Sequence, residues 1–221
     1  MFIVLRKGFE TGWHSLVVGI ALAAMLGATS GSAQQPRAAV PSESAADVAH
    51  DRARFERDCA QGRARACFLL GVALADGIGL EKDEAGAASF FGKACEAGAM
   101  GGCVSLGVAL DKGQGVKKDE ARAALLYAKA CAGRELDGCF NLGLLYEEGQ
   151  GVKKDEARAA SLYEKACHGG FAEGCINLGL MFEEGRGVKK QDEARAVFLY
   201  EKACEAGLMM GCANLGAMHE E

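Results

Sequence analysis

Ten cysteines are the residues of this chain whose type and spacing could do chemistry. They fall as five pairs, Cys59 with Cys67, Cys95 with Cys103, Cys131 with Cys139, Cys167 with Cys175 and Cys204 with Cys212, and seven residues separate the partners of each pair. Regular pairs of thiols suit cross-linking or metal ligation. Structural zinc sites usually show closer spacings such as C-x2-C with histidine partners. Beyond a leader, the chain offers only His50, His168 and His219. Even, regular usage therefore reads as one disulfide per pair, with zinc the alternative. Closing so short a loop stabilises by about 2–3 kcal/mol in the chain-entropy account.

The elements that must position these pairs repeat with them. First cysteines follow one another at 36, 36, 36 and 37 residues, the extra residue falling near Gln191. A period of this length signals stacked helical hairpins, not a globule around one core. In the unit Lys117 to Glu148, Asp119 is placed to cap a longer helix that opens with Glu120 near the positive end of the dipole. Ala121, Ala124, Leu125, Ala128 and Cys131 recur at three- and four-residue steps and predict its apolar face. Gly133 suits a left-handed C-cap, and Asp137 a second N-cap. A shorter helix follows, with Cys139, Leu142, Gly143 and Tyr146 on one face and Gly149 and Gly151 ending it. Gly143 costs about 1 kcal/mol against alanine, so a close neighbour is expected there. Residues 45–60 read as a lone long helix, an N-terminal cap with Phe55 where Tyr127, Tyr163 and Tyr200 stand later. Four full units then begin near Ala66, Gly102, Gly138 and Gly174. The final GCANLGAMHEE is a half repeat, and solenoids normally end in a polar capping helix. The expectation is a truncated end, or self-association through an uncapped one.

The 221 residues are half apolar, hold 31 glycines in register with the repeat, and carry a net charge of −5. Arg6 and Lys7 precede an uncharged run from Leu16 to Ala28, with Gly31 and Ala33 suited to a cut after Ala33. This reads as a cleaved signal peptide over 1–33, sending the protein to the periplasm or beyond. Residues 34–44 read as a linker and 45–221 as the repeat array. Removing Arg6, Lys7 and Glu10 leaves the remainder more acidic, without a basic stripe. A nucleic-acid partner is therefore not expected, nor a membrane after cleavage. The paired lysines 117–118, 153–154 and 189–190 read as a solvated edge.

The recurring LYEKAC, GC-x-NLG, G-x-GV-x-K and DEARA text resembles the Sel-one-like repeat, a relative of the tetratricopeptide repeat. The cysteine pairs narrow the resemblance to the Helicobacter cysteine-rich proteins. The resemblance implies an all-α, right-handed α-solenoid whose first helices line a concave groove. Carried onto this sequence, the groove would present Phe68, Phe140 and Ile176 one residue after the second cysteine, and Ser105, Asn141, Asn177 and Asn214 two after. Val72, Val108, Leu144 and Leu180 would follow at five, with Glu147 and Glu183 on an acidic lip. A row of amides can bond an extended backbone as both donor and acceptor. Alternatively, each Asn serves packing within its own repeat.

The resemblance also carries a link to penicillin binding and slow β-lactam hydrolysis. The serine enzymes of that chemistry use S-x-x-K with K-T-G. Ser89/Lys93 and Ser161/Lys165 are each one residue too widely spaced, and with every cysteine paired no thiolate remains as nucleophile. No catalytic residue, cofactor or metal is assigned. The reading is a scaffold that binds a protein or peptide along its concave face, with a penicillin-binding protein or weak β-lactamase as the alternative.

Overall fold

The computed structural model describes residues 44–218. The expected signal peptide and nearly all of the linker lie outside the described residues, as does His219. The described part is all helical, eleven helices in order: α1 (Ala45–His50), α2 (Arg52–Ala60), α3 (Ala64–Asp76), α4 (Glu84–Glu96), α5 (Met100–Lys112), α6 (Glu120–Ala132), α7 (Leu136–Glu148), α8 (Glu156–His168), α9 (Ala172–Glu184), α10 (Glu193–Glu205) and α11 (Met209–Met218). From α2 onward each packs chiefly on its neighbours in the chain, so the hairpins stack in sequence order, while α1 packs chiefly on α3. The helices α3, α5, α7, α9 and α11 are the first of each unit, and α4, α6, α8 and α10 the second.

Aspartates start the second helices, as expected. Asp83, Asp119, Asp155 and Asp192 accept from the amides of Gly86, Arg122, Arg158 and Arg195 at 2.9, 2.9, 3.0 and 3.1 Å. Glycines in the left-handed conformation end the first helices, Gly77, Gly113, Gly149 and Gly185.

All ten cysteines form disulfides in the pairing expected from their spacing. Cys59 bonds Cys67, Cys95 bonds Cys103, Cys131 bonds Cys139, Cys167 bonds Cys175 and Cys204 bonds Cys212, with Cα–Cα separations of 4.5 to 4.7 Å. Each bond ties the end of α2 or of a second helix to the following first helix. Cys67, Cys103, Cys139 and Cys175 are buried, whereas Cys212 is half-buried in α11. The role of these residues is thus to hold helix pairs together, and none of them presents a thiol to a ligand.

Glycines set how closely the helices approach. A Cβ on Gly143 would lie 2.6 Å from the Tyr163 ring, and Gly71, Gly107 and Gly179 stand in the same relation to Phe91, Tyr127 and Tyr200. The close neighbour expected at Gly143 is thus an aromatic of the paired helix. These rings, with Phe55, are among the buried side chains of the protein.

Several local expectations are corrected. Residues 45–60 form two helices, because Asp51 leaves helical geometry (φ −140°, ψ 53°) and its side chain caps α2 through the Arg54 amide at 3.1 Å. First and second helices are equally long in the interior, 13 residues each, so shorter and longer do not distinguish them. The first helices also begin two residues earlier than the unit starts placed from sequence. The buried stripe of α6 is Ala123, Ala124, Tyr127, Ala130 and Cys131, while Ala121, Ala128 and Leu125 face solvent, Leu125 being 73% exposed. Alanine occurs all round α6, so its spacing cannot set the phase; the large ring of Tyr127 does. Gly133 keeps φ −77°, and it is Arg134 that adopts φ +68°. Asp137 lies inside the first turn of α7, whose N-cap Glu135 makes no side-chain capping bond.

Candidate functional site

The same register of each first helix remains partly open to solvent. Val72, Val108, Leu144 and Leu180 are half-buried and occupy one position in α3, α5, α7 and α9. Beside them Phe68, Ser105, Asn141, Asn177 and Asn214 are also half-buried. Phe140 and Ile176 are not available: each is 7% exposed. The Phe140 ring packs 5.7 Å from Tyr163 and 5.2 Å from Phe171, centroid to centroid. A large apolar side chain next to the disulfide is drawn between helices, whereas Phe68 stays partly open beside Phe91.

The amide row is less free than the sequence suggested. Asn141 donates Nδ2 to the Asp137 carbonyl of its own helix at 2.8 Å. Asn177 lies near the Tyr163 hydroxyl, and Asn214 near that of Tyr200. The packing role is therefore present at Asn141, and what remains there for a ligand is the unused capacity of its amide.

The lip acids hold the same tyrosines. Tyr163 donates to Glu147 Oε2 at 2.7 Å, and Tyr200 to Glu183 Oε2 at 2.5 Å. Arg186 donates to the other Glu147 oxygen at 2.9 Å and also contacts Glu184. Burial first, and then these carboxylates, push both phenols far above their ordinary range. At Tyr127 the corresponding acid is Asp111, one methylene shorter; burial again dominates the upward shift. Sequence reasoning missed these pairs, although Tyr in LYEK and Glu in the EEG endings recur in register. Glu148 and Glu184 remain exposed.

A second set escaped the sequence reading. Lys129, Lys165 and Lys202 each donate Nζ at 2.9 Å to the first-cysteine carbonyl one unit back, on Cys95, Cys131 and Cys167. A cation there meets the negative end of the preceding second helix. The Lys of LYEKAC is thereby a structural tie between repeats. Ser161, four residues before Lys165, is exposed, and Lys93 lies over the Phe90 ring.

Charge is uneven along the first helices. α7 and α9 carry Asp137, Glu147, Glu148, Glu173, Glu183 and Glu184 and no cation, whereas α3 and α5 each hold one base and one acid. Burial raises the carboxyls of Glu135 and Asp137 above their usual range. The doubled lysines are exposed, Lys118 and Lys154 pairing with Glu120 and Glu156 at 2.8 Å.

The profile of the Sel1 repeat matches residues 64–98, 102–133, 136–171 and 172–208, the four stacked hairpin units. The chain belongs to the Sel1 repeat family. Two solved Sel1-type structures are similar over 77% of it. One is a protective antigen present in uropathogenic Escherichia coli strains displaying an SLR fold, at 30% identity and TM-score 0.72. The other is a Sel1 repeat protein from Oxalobacter formigenes, at 29% identity and TM-score 0.70. This chain spans 36% of the first and 70% of the second. Helicobacter pylori cysteine rich protein B matches at 30% identity over 61% of this chain and 96% of its own, with TM-score 0.47. No curated protein matches the chain. Sel1 repeats generally mediate protein–protein interaction.

Proposed function

We propose that this Sel1 repeat protein is an interaction scaffold that binds an extended segment of another protein along its first helices, on a concave face. The observation that carries the reading is the shared register of Val72, Val108, Leu144 and Leu180, half-buried and repeated once per unit. An extended partner can meet such a row with alternate side chains, while the residual capacity of Asn141, Asn177 and Asn214 meets its backbone. Six acids without a cation on α7 and α9 favour basic residues in the part of the partner that lies there. Five disulfides favour an oxidising compartment, consistent with a periplasmic or secreted protein.

The test is selection of peptides from a random display library on the oxidised protein, followed by affinity measurement on a Leu144→Glu/Leu180→Glu variant. The half-buried positions should accept the change with helical content retained. Selected peptides should combine apolar and basic residues and lose at least tenfold in affinity on the variant. Equal affinity on both proteins would reject the groove.

A further inference from the structure

One of the lysine ties also touches a disulfide. Lys165 Nζ lies 2.9 Å from the Cys131 carbonyl and 3.5 Å from Cys131 Sγ. Lys129 and Lys202, in the same register, reach the carbonyls of Cys95 and Cys167 with no sulfur contact among the described residues. Lys93, which holds this register in α4, lies over the Phe90 ring instead. A fixed cation against a disulfide sulfur is therefore peculiar to Cys131–Cys139.

The turn that this disulfide closes differs from the others as well. Gly62, Gly98, Gly170 and Gly207 take the left-handed conformation between the other paired cysteines, and here Arg134 takes it, at φ +68°. A side chain disfavours that geometry. The cysteines of the first four disulfides are buried alike, and each pair joins the end of one helix to the next helix near its start. Burial and helix dipoles thus act on the four in the same way. The lysine contact and the strained turn set Cys131–Cys139 apart.

We propose that Cys131–Cys139 is a site of thiol–disulfide exchange, the staple among these four that a dithiol reductant opens first. A thiolate of the reductant attacks Cys139 Sγ and forms a mixed disulfide. The S–S bond of the protein breaks, and its electron pair leaves on Cys131 Sγ as a thiolate facing the Lys165 ammonium. The second thiolate of the reductant then attacks the reductant sulfur of the mixed disulfide and releases Cys139, which takes up one of the protons that the dithiol gave up. Two electrons pass to the cysteine pair, and the reductant ends as a disulfide. An adjacent cation lowers the pKa of a thiol, and a leaving thiol of lower pKa departs faster. Opening the loop also frees Arg134 from the left-handed conformation. Cys131 lies at the end of α6 and Cys139 near the start of α7, so the opened staple is the one between the repeats at 102–133 and 136–171. The acid-bearing helices α7 and α9 lie beyond that join, and exchange there would loosen them from α3 and α5. The proposal uses the staples and not the row on the first helices, so it stands apart from the binding reading.

Limited reduction of the oxidised protein with dithiothreitol, followed by acid quenching, alkylation and peptide mass mapping, reads the order of opening. Cys131 and Cys139 should become alkylated about tenfold faster than Cys59/Cys67, Cys95/Cys103 and Cys167/Cys175. Equal rates, or any of those three pairs opening first, overturn the proposal. Lys165→Met separates stabilisation of the thiolate from a tie that merely holds repeats together. Loss of a tie loosens the turn and quickens exchange, whereas loss of the cation slows it. Slowing by about threefold or more is expected at Cys131–Cys139, and unchanged or faster exchange overturns the proposal. With the monothiol glutathione as reductant, the trapped adduct should map to Cys139 with Cys131 released; an adduct on Cys131 would overturn the leaving role given to that sulfur.

Discussion

Arg134 holds φ +68° at a position where Gly62, Gly98, Gly170 and Gly207 stand in the other loops between the paired cysteines. Those glycines have nothing within 4 Å of a Cβ, so only backbone geometry disfavours a side chain there. The left-handed conformation costs a non-glycine residue about 1–2 kcal/mol, and Arg134→Gly is expected to raise stability by about 1 kcal/mol in chemical denaturation. No gain would show that Arg134 makes a compensating contact. Gly143→Ala should act in the opposite direction. Its methyl would sit 2.6 Å from the Tyr163 ring, and overpacking of this kind costs about 1–3 kcal/mol. Asp137 adds a pH dependence. Burial raises its folded carboxyl above the ordinary 3.8, so the folded state holds its proton more tightly than the unfolded one. The stability penalty is absent below the unfolded value and grows as pH rises through the raised folded value. Asp137→Asn should therefore be more stable than the original chain at neutral pH, with the advantage shrinking in acid; an advantage independent of pH would exclude this origin.

At the scale of the helix, much was legible and the phase was not. The Asp-Glu starts and Gly ends marked real boundaries, because capping depends on a few local groups. The buried face of α6 was misassigned because alanine lies on every side of it. A small side chain gives little periodic signal, and the identity of the inner face is settled by which helix offers Gly107 to Tyr127. The lysine ties were hidden for a different reason: they cross 34 or 35 residues of sequence to a backbone carbonyl, which has no residue identity to read. Lys165→Met keeps the apolar stem and removes the charge from the Cys131 carbonyl. A cation at a helix C-terminus contributes about 1 kcal/mol, and the melting curve should shift by that amount. The same substitution at exposed Lys153 should leave it unchanged; equal effects would deny the tie.

For the whole molecule, the period of the cysteine pairs carried the architecture, since a repeat of fixed length leaves stacking as the way to bury alanine-rich hairpins. The pairing itself was legible for a local reason: each partner, from Cys67 to Cys212, lies eight residues after its first cysteine, across a single interhelical turn. Of the positions expected to face a groove, Val72, Val108, Leu144 and Leu180 are half-buried, whereas Phe140 and Ile176 went into the packing, a distinction that depends on the neighbouring helix. Replacing Cys131 and Cys139 together with alanine should cost about 2–3 kcal/mol, seen as a lower denaturation midpoint; an unchanged midpoint would mean that packing alone holds α6 to α7. The measurement that tests the central claim most directly is the affinity of library-selected peptides for the oxidised protein and for its Leu144→Glu/Leu180→Glu variant, with helical content checked in both. A loss of tenfold or more on a folded variant is the expected result. Undiminished binding by the folded variant would contradict a binding surface along the first helices.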